Sequence, residues 1–237
     1  MQIVIPMSGF GERFRQAGYT VPKPLIEVDG KPIIQYIVEM FSDKDDFIFI
    51  CNEDHLNNKT YGMESILRSI CSSCVIVGIL PHKLGPVHAV MQSIDFINLN
   101  SSVIVNYCDF TCDWDYSDFS NMVGETECDG AIPCYRGFHP HTLWSNYYAY
   151  VQEEKMHAYN IQEKQPFTDK PREEFASSGT YYFKSGALMQ RYFNRCIDEE
   201  LMVGGEYYVS MVYKPMMQDD LNIQVYELEH FMQWGVP

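Results

Sequence analysis

Basic residues are scarce in this chain. Seventeen lysines and arginines stand against 32 aspartates and glutamates, for a formal net charge of −15 over 237 residues. A nucleic-acid binder normally carries a basic face, so no nucleic-acid partner is expected. Small phosphate-bearing ligands stay open, because a few local cations hold those. Long apolar runs are missing as well. No stretch reaches the roughly 18 apolar residues a membrane helix needs, so neither a span nor a membrane partner is expected. The N-terminus, MQIVIPMSGFGERF, lacks a basic leader and a small-residue cleavage site; it reads as a first core strand, not a signal peptide. The eight cysteines are irregularly spaced. Cys71 and Cys74 make one CxxC, with no second CxxC or nearby His pair to complete a zinc site. That pattern points to reduced thiols in a cytoplasmic protein. No repeat or low-complexity tract is present.

What is there suits a globular α/β protein. The apolar fraction is 46%, and the length allows a substantial core. Short apolar runs at 2–6, 46–51, 74–80 and 102–110 read as buried strands. Between them, 31–41, 61–70 and 87–97 carry helical spacing. This alternation predicts a Rossmann-like, mostly parallel sheet flanked by helices. From about residue 128 the pattern changes. Segments 131–138, 146–154, 156–164, 176–183 and 222–230 read as strands of a mixed, aromatic-rich half, with one helix near 186–203. The expectation is a single domain, 1–237, in two halves, 1–127 and 128–237.

Two constellations carry chemistry. In the first, Ser8-Gly9-Phe10-Gly11 is followed by Arg13. Two glycines let backbone N–H groups approach phosphate, and the guanidinium fork suits its oxygens. The third glycine of a dinucleotide fingerprint is absent, since Phe14 stands there, and no Gly-Lys-Ser/Thr of a Walker loop follows. The second is Val21-Pro22-Lys23-Pro24-Leu25, then Asp29-Gly30-Lys31-Pro32. A lysine between prolines sits on a stiff, non-helical backbone. His139 and His141 lack a third metal ligand at suitable spacing and read as loop histidines. Tyr147 and Tyr148 are candidates for a pocket wall.

Together these segments resemble the N-terminal signature of the sugar-phosphate nucleotidyltransferase superfamily: strand, glycine turn with Arg, Pro-Lys-Pro-Leu, Gly-Lys-Pro. The IVIPMSGFGERF form is most similar to compact enzymes of bacterial capsule and surface-polysaccharide loci, some of which activate non-sugar phosphates such as phosphocholine or a phosphorylated amino acid. The resemblance continues with Gly85, in Pro81–Pro86, against the base. It places Asp109 as the magnesium ligand, Glu163 and Lys164 facing the acceptor, and Ser178-Gly179 as the next acceptor loop. Glu206, in Gly205–Tyr208, resembles a helix start of the uridylyl and thymidylyl members. Phe231–Pro237 resembles the closing Gly-Thr-Pro stretch, after which relatives continue with a helix. One departure stands out: Gln233 lies where a second metal-binding Asp or Asn is usual, with Glu206 and Glu229 as other carboxylates in reach of that role.

The resemblance implies a magnesium-dependent nucleotidyltransferase. It would move a nucleoside monophosphate from a triphosphate, CTP first and then UTP, to a phosphorylated small acceptor, sugar or non-sugar, releasing pyrophosphate. Arg13 and Lys23 are the catalytic residues so implied: Arg13 on the triphosphate, Lys23 on the acceptor phosphate. Ser8, Gly9, Phe10, Gly11 and Gly85 hold the nucleotide. A monomer or homodimer is expected. Two alternatives stay open from sequence. One is a glycosyltransferase using Asp113-Trp114-Asp115 as its metal motif; the other is a non-catalytic nucleotide-binding regulatory subunit.

Overall fold

The run QIVIPM is apolar because it is covered on both faces. In the computed structural model, which describes residues 1–139 and 148–235, this run is β1 (Gln2–Met7). Ile3, Ile5 and Met7 enter one core cluster and Val4 the other, as alternation along a central strand requires. A turn leads to α1 (Glu12–Gln16). The Pro-Lys-Pro segment forms a single 3-10 turn, Lys23–Leu25. The two-residue strands β2 (Glu27–Val28) and β3 (Lys31–Pro32) pair ahead of α2 (Ile33–Val38). The half continues through β4 (Asp46–Asn52), α3 (Glu53–Asn57), α4 (Met63–Ile70), β5 (Val75–Ile79), α5 (Pro86–Met91) and β6 (Val103–Asn106). Then come β7 (Phe110–Asp113), α6 (Tyr116–Thr126), β8 (Gly130–Tyr135), β9 (Ala149–Glu154), β10 (His157–Glu163), β11 (Phe175–Ser177) and β12 (Thr180–Phe183). The described chain closes with α7 (Gly186–Asp198), α8 (Val209–Gln218), β13 (Ile223–Glu227) and β14 (His230–Gln233).

Among the described residues ten strands form one sheet, in the order β11-β9-β10-β13-β8-β12-β6-β1-β4-β5. The β6, β1, β4 and β5 strands are parallel, which is the Rossmann-like half expected from the alternation. β12 runs antiparallel between β6 and β8 and joins this half to the mixed one.

Several segments depart from the sequence reading, and α6 and α3 fall where no helix was read. The strand expected at 102–110 stops at Asn106; Tyr107–Asp109 leave the sheet, and β7 pairs instead with β14. The strand expected at 176–183 is broken at Ser178-Gly179. Gly179 has φ +87, and a methyl there would lie 2.2 Å from two carbons of the Phe110 ring. The helix expected at 186–203 ends at Asp198. The helix start that Gly205–Tyr208 resembles is present: Tyr208 is the N-cap of α8, whose interior contains Pro215. Proline opposes a helix interior by about 3 kcal/mol. Here the opposing term is packing, since Val209, Val212, Tyr213, Pro215 and Met216 are all buried.

Candidate active site

The chemistry-bearing residues gather where β1 and β6 end, at the carboxyl edge of the parallel strands, the usual ligand position in open α/β sheets. Ser8 is buried, and its carbonyl accepts from Asn52 Nδ2 at 3.3 Å. Asn52, the last residue of β4, also caps α3 through Oδ1, 2.9 Å from Asp54 N. This pins the glycine turn from below. Gly11 then takes φ 61, a conformation glycine reaches without a Cβ penalty, and turns the chain into α1.

The opposite rim is 82–85. Gly85 has φ +87, and a methyl on it would stand 2.8 Å from both the backbone N and O of Tyr207. The two segments are stitched: Tyr207 N donates to Leu84 O at 2.9 Å, and Val87 N to Tyr207 O at 3.2 Å. Lys83 reaches across to Glu12 at 2.8 Å, with its ammonium 5.6 Å from the centre of the Phe10 ring. Between the rims lies a cleft of about 480 Å³ bordered by Ser8, Gly9, Phe10, Gly11, Arg13, Lys23, Gly85, Asp109 and Glu206. Because Tyr207 backbone cannot swing aside, Gly85→Ala is expected to lower stability by about 1–3 kcal/mol and to raise the KM for nucleotide. Urea unfolding and a nucleotide titration check this; an unchanged midpoint would show that the rim is slack.

A second cavity of about 200 Å³ adjoins the first. Arg13, Tyr107, Asp109, Tyr208 and Gly235 border both. Asp109 is therefore at the junction. Its Oδ2 accepts from Lys23 Nζ at 2.6 Å, and Lys23 also lies 5.2 Å from the centre of the Phe14 ring. The prolines on either side of Lys23 hold it there: Pro22 is extended at φ −56, ψ 143, and Pro24 is buried in the 3-10 turn. Asp109 is held by its own backbone, whose carbonyl accepts from Trp234 N at 2.7 Å. Gln233 completes the corner. Its Oε1 accepts from Gly235 N at 2.8 Å, and a methyl on Gly235 would lie 2.9 Å from Gln233 Oε1 and 3.4 Å from Asp109 Oδ2.

One carboxylate beside one amide oxygen suits magnesium. That ion keeps several waters and is commonly bound through one or two carboxylates plus substrate phosphates. A dedicated cage is not built: no group of three or more His, Cys, Asp or Glu that could hold a metal occurs among the described residues.

The smaller cavity is bordered by Glu163, Lys164 and Gly179. Lys164 takes φ 60 just after the end of β10. Its ammonium donates to the Tyr208 hydroxyl, which in turn donates to Glu206 Oε2. Glu163 Oε2 accepts from Ser210 Oγ at 2.5 Å. Burial pushes the Glu163 carboxyl up to about 7, against the opposing pull of the Ser210 hydrogen bond and the Lys164 charge.

Several residues singled out from the sequence are placed differently from their expected positions. Lys23 borders the larger cavity, whereas Arg13, expected on the nucleotide alone, borders both. Ser178 is fully buried, its hydroxyl has no hydrogen-bond partner, and it is Ser177 that borders the smaller cavity. Asp115 caps α6, accepting from Asp118 N at 2.9 Å, and the Trp114 indole donates to Met40 O at 3.0 Å. Asp113 and Asp115 border neither of these two cavities. His139 packs edge-on against Tyr135, with ring centres 4.6 Å apart. His141, Tyr147, Val236 and Pro237 lie outside the described residues; Tyr148 borders the smaller cavity. The sequence reading missed the aromatic walls at Tyr107, Phe110, Tyr181 and Tyr208. Tyr107 and Phe110 flank Asp109 and Tyr208 follows Glu206 closely, so chain adjacency was the signal available.

The larger cleft and the smaller cavity meet at Asp109. The family model for nucleotidyl transferases matches residues 3–211, and the chain belongs to that family. No curated protein matches it. Among solved structures it is similar to the nucleoside-diphosphate-sugar pyrophosphorylase from Vibrio cholerae RC9, with TM-score 0.76 and 21% identity over 100% of this chain and 96% of that one. It is similar to a UDP-glucose pyrophosphorylase complexed with UDP-glucose, with TM-score 0.75 and 18% identity over 99% and 93% of the two chains. A UDP-glucose pyrophosphorylase from Acinetobacter baumanii gives TM-score 0.71 and 16% identity over 99% and 88%.

Proposed function

We propose that this chain, as one domain with a nucleotide half (1–127) and an acceptor half (128–237), transfers a nucleoside monophosphate from a triphosphate to a phosphorylated small acceptor. An acceptor phosphate oxygen forms a bond to the α-phosphorus while the bond to the β-phosphate oxygen breaks, and pyrophosphate leaves. The observation that carries this reading is the position of Asp109, shared by two cavities of unequal size and paired to Lys23.

Both reactants are anions, so the residues at the junction act by charge and position. Arg13 borders both cavities and serves the phosphates of either substrate. Lys23 balances Asp109 in the free protein and turns to phosphate when the triphosphate enters. Lys164 supplies the cation on the acceptor side. Asp109, with Gln233 beside it, would hold magnesium together with the triphosphate. When bound, that ion screens the phosphate charge. No side chain has to move a proton, which fits catalysis by orientation and preorganised charge.

A pyrimidine base is favoured. The resemblance of residues 1–34 supports CTP first and UTP second, and a role in surface-polysaccharide synthesis rests on that same resemblance. Neighbours named as UDP-glucose pyrophosphorylases support a sugar phosphate as one acceptor class. The cysteine usage supports a cytoplasmic setting; no helix among the described residues is long and apolar enough to cross a membrane. The deciding experiment incubates the protein with magnesium, five triphosphates and a panel of sugar and non-sugar phosphates, reading pyrophosphate. Release that needs both a triphosphate and an acceptor supports the proposal. Silence across the whole panel would return the chain to the regulatory-subunit alternative.

A further inference from the structure

The segment Cys71-Ser72-Ser73-Cys74 borders neither of the two cavities. Cys71 is the C-cap of α4, and Cys74 stands directly before the edge strand β5. Between them the chain makes a hydrogen-bonded turn, with Cys74 N donating to Cys71 O at 3.3 Å. Such a turn brings its first and last Cα atoms within about 7 Å, and a disulfide spans roughly 4.4–6.8 Å. The side chains converge as well. Cys74 belongs to a core cluster, and Cys71 packs against the same cluster. The Cys71 thiol acts on that of Cys74 through charge and through a side-chain hydrogen bond. Closing the pair therefore asks for side-chain rotation rather than backbone movement.

The two thiols differ in the way an exchange reaction needs. Both are free, and Cys71 is half-exposed, followed by two exposed serines, so a small molecule reaches its sulfur. The Ser73 hydroxyl lies 3.9 Å from Cys71 Sγ, on the side where a thiolate would form. Cys74 is buried. Burial, then the neighbouring Cys71, pushes its thiol up to about 11, against the opposing charge of Arg68. It stays protonated at neutral pH and is suited to the second step of an exchange, not the first. The other half-exposed residue, Cys108, has its thiol pushed up to about 12 by burial and by the adjoining Asp109. Cys51, Cys112, Cys128, Cys134 and Cys196 are buried. Cys71 is thus the point of entry.

We propose that Cys71 and Cys74 form a redox-active dithiol, a modification site that takes a low-molecular-weight disulfide of the glutathione class. The Cys71 thiolate attacks one sulfur of glutathione disulfide. A bond forms between Cys71 Sγ and that sulfur, the original S–S bond breaks, and one glutathione leaves and takes up the proton that Cys71 released. Cys74 then gives up its proton, attacks Cys71 Sγ and displaces the second glutathione, which takes that proton. Two protein thiols are oxidised to one disulfide, and one glutathione disulfide is reduced to two glutathiones. The new bond ties the end of α4 to the start of β5. The dithiol is the resting form, and the site is independent of the transfer reading.

The test uses the intact protein, held under native conditions with excess glutathione disulfide, quenched in acid and weighed. The wild type should lose two hydrogens and retain no glutathione. Trypsin releases both cysteines in one peptide, Ser69–Lys83, which holds no other cysteine, so the bond is located directly. Dithiothreitol should restore the original mass. Cys74→Ser should stop after the first step, with one glutathione on Cys71. Cys71→Ser should leave this peptide unmodified. Cys74→Ala gives the same reading as Cys74→Ser if a hydroxyl at that buried position unfolds the chain. The proposal is overturned if wild-type Ser69–Lys83 keeps both thiols, if it carries glutathione without closing, or if the two hydrogens are lost from cysteines elsewhere in the chain.

Discussion

Asp109→Asn is expected to lower magnesium-dependent kcat by about 10²–10³-fold, the usual loss when one electrostatic stabiliser is removed from a preorganised site. The fold should survive. Asparagine keeps a carbonyl oxygen that accepts from Lys23 Nζ, now at 2.6 Å from Oδ2. It also keeps the backbone carbonyl that receives Trp234 N at 2.7 Å. What changes is charge, and a hard cation depends on charged oxygen ligands. The rate deficit should shrink as magnesium is raised, because weaker binding is offset by mass action. Steady-state kinetics over a magnesium series, with urea unfolding as control, measures both. A variant that retains more than about a tenth of the rate would remove Asp109 from the metal role.

Lys23→Ala has the second large expected effect, and its form distinguishes two placements of one cation. The sequence reading put Lys23 on the acceptor phosphate. In the structure Lys23 borders the larger cavity, and the cations bordering the smaller one are Arg13 and Lys164. Lys23→Ala should therefore reduce kcat by about 10²-fold and raise the KM for the triphosphate. Lys164→Ala should act mainly on the KM of the acceptor. Removing Lys23 also strands Asp109 without its counter-charge, and breaking a partly buried pair from one side destabilises. Lys23→Met keeps the apolar stem against the Phe14 ring, 5.2 Å from the present ammonium, and separates packing from charge. Two kinetic titrations per variant give the split. If Lys23→Ala changes acceptor KM alone, the sequence placement was the better one.

Much of the parallel half was legible because its signal is local. QIVIPM and DFIFIC are too apolar to be anything but buried strands, and the glycine turn follows the first of them directly. The site's two ends were legible for a similar reason: Ser8–Arg13 and Lys23 lie on short, stiff segments close in sequence. What escaped depends on contacts between distant segments. The break at Gly179 exists because Phe110, from another strand, takes the space. β7 leaves the main sheet because β14, near the other end of the chain, pairs with it. α8 was legible only at its start, in Gly205–Tyr208; its body was hidden by Pro215 and by tyrosines whose local preference is for extended structure. The smaller cavity was hidden most of all. Tyr148, Glu163, Ser177 and Tyr181 come from four places in the chain, and only the sheet order makes them neighbours.

The corner at Asp109 has a consequence for how the protein is made. Its floor, the end of β6, is synthesised well before Gln233, Trp234 and Gly235, which close it. Domains fold largely from the N-terminus during synthesis. A nascent chain can therefore assemble β1, β4, β5 and β6 and hold Lys23 near Asp109 while the corner still lacks its last wall. The corner is complete only once β14 has paired with β7.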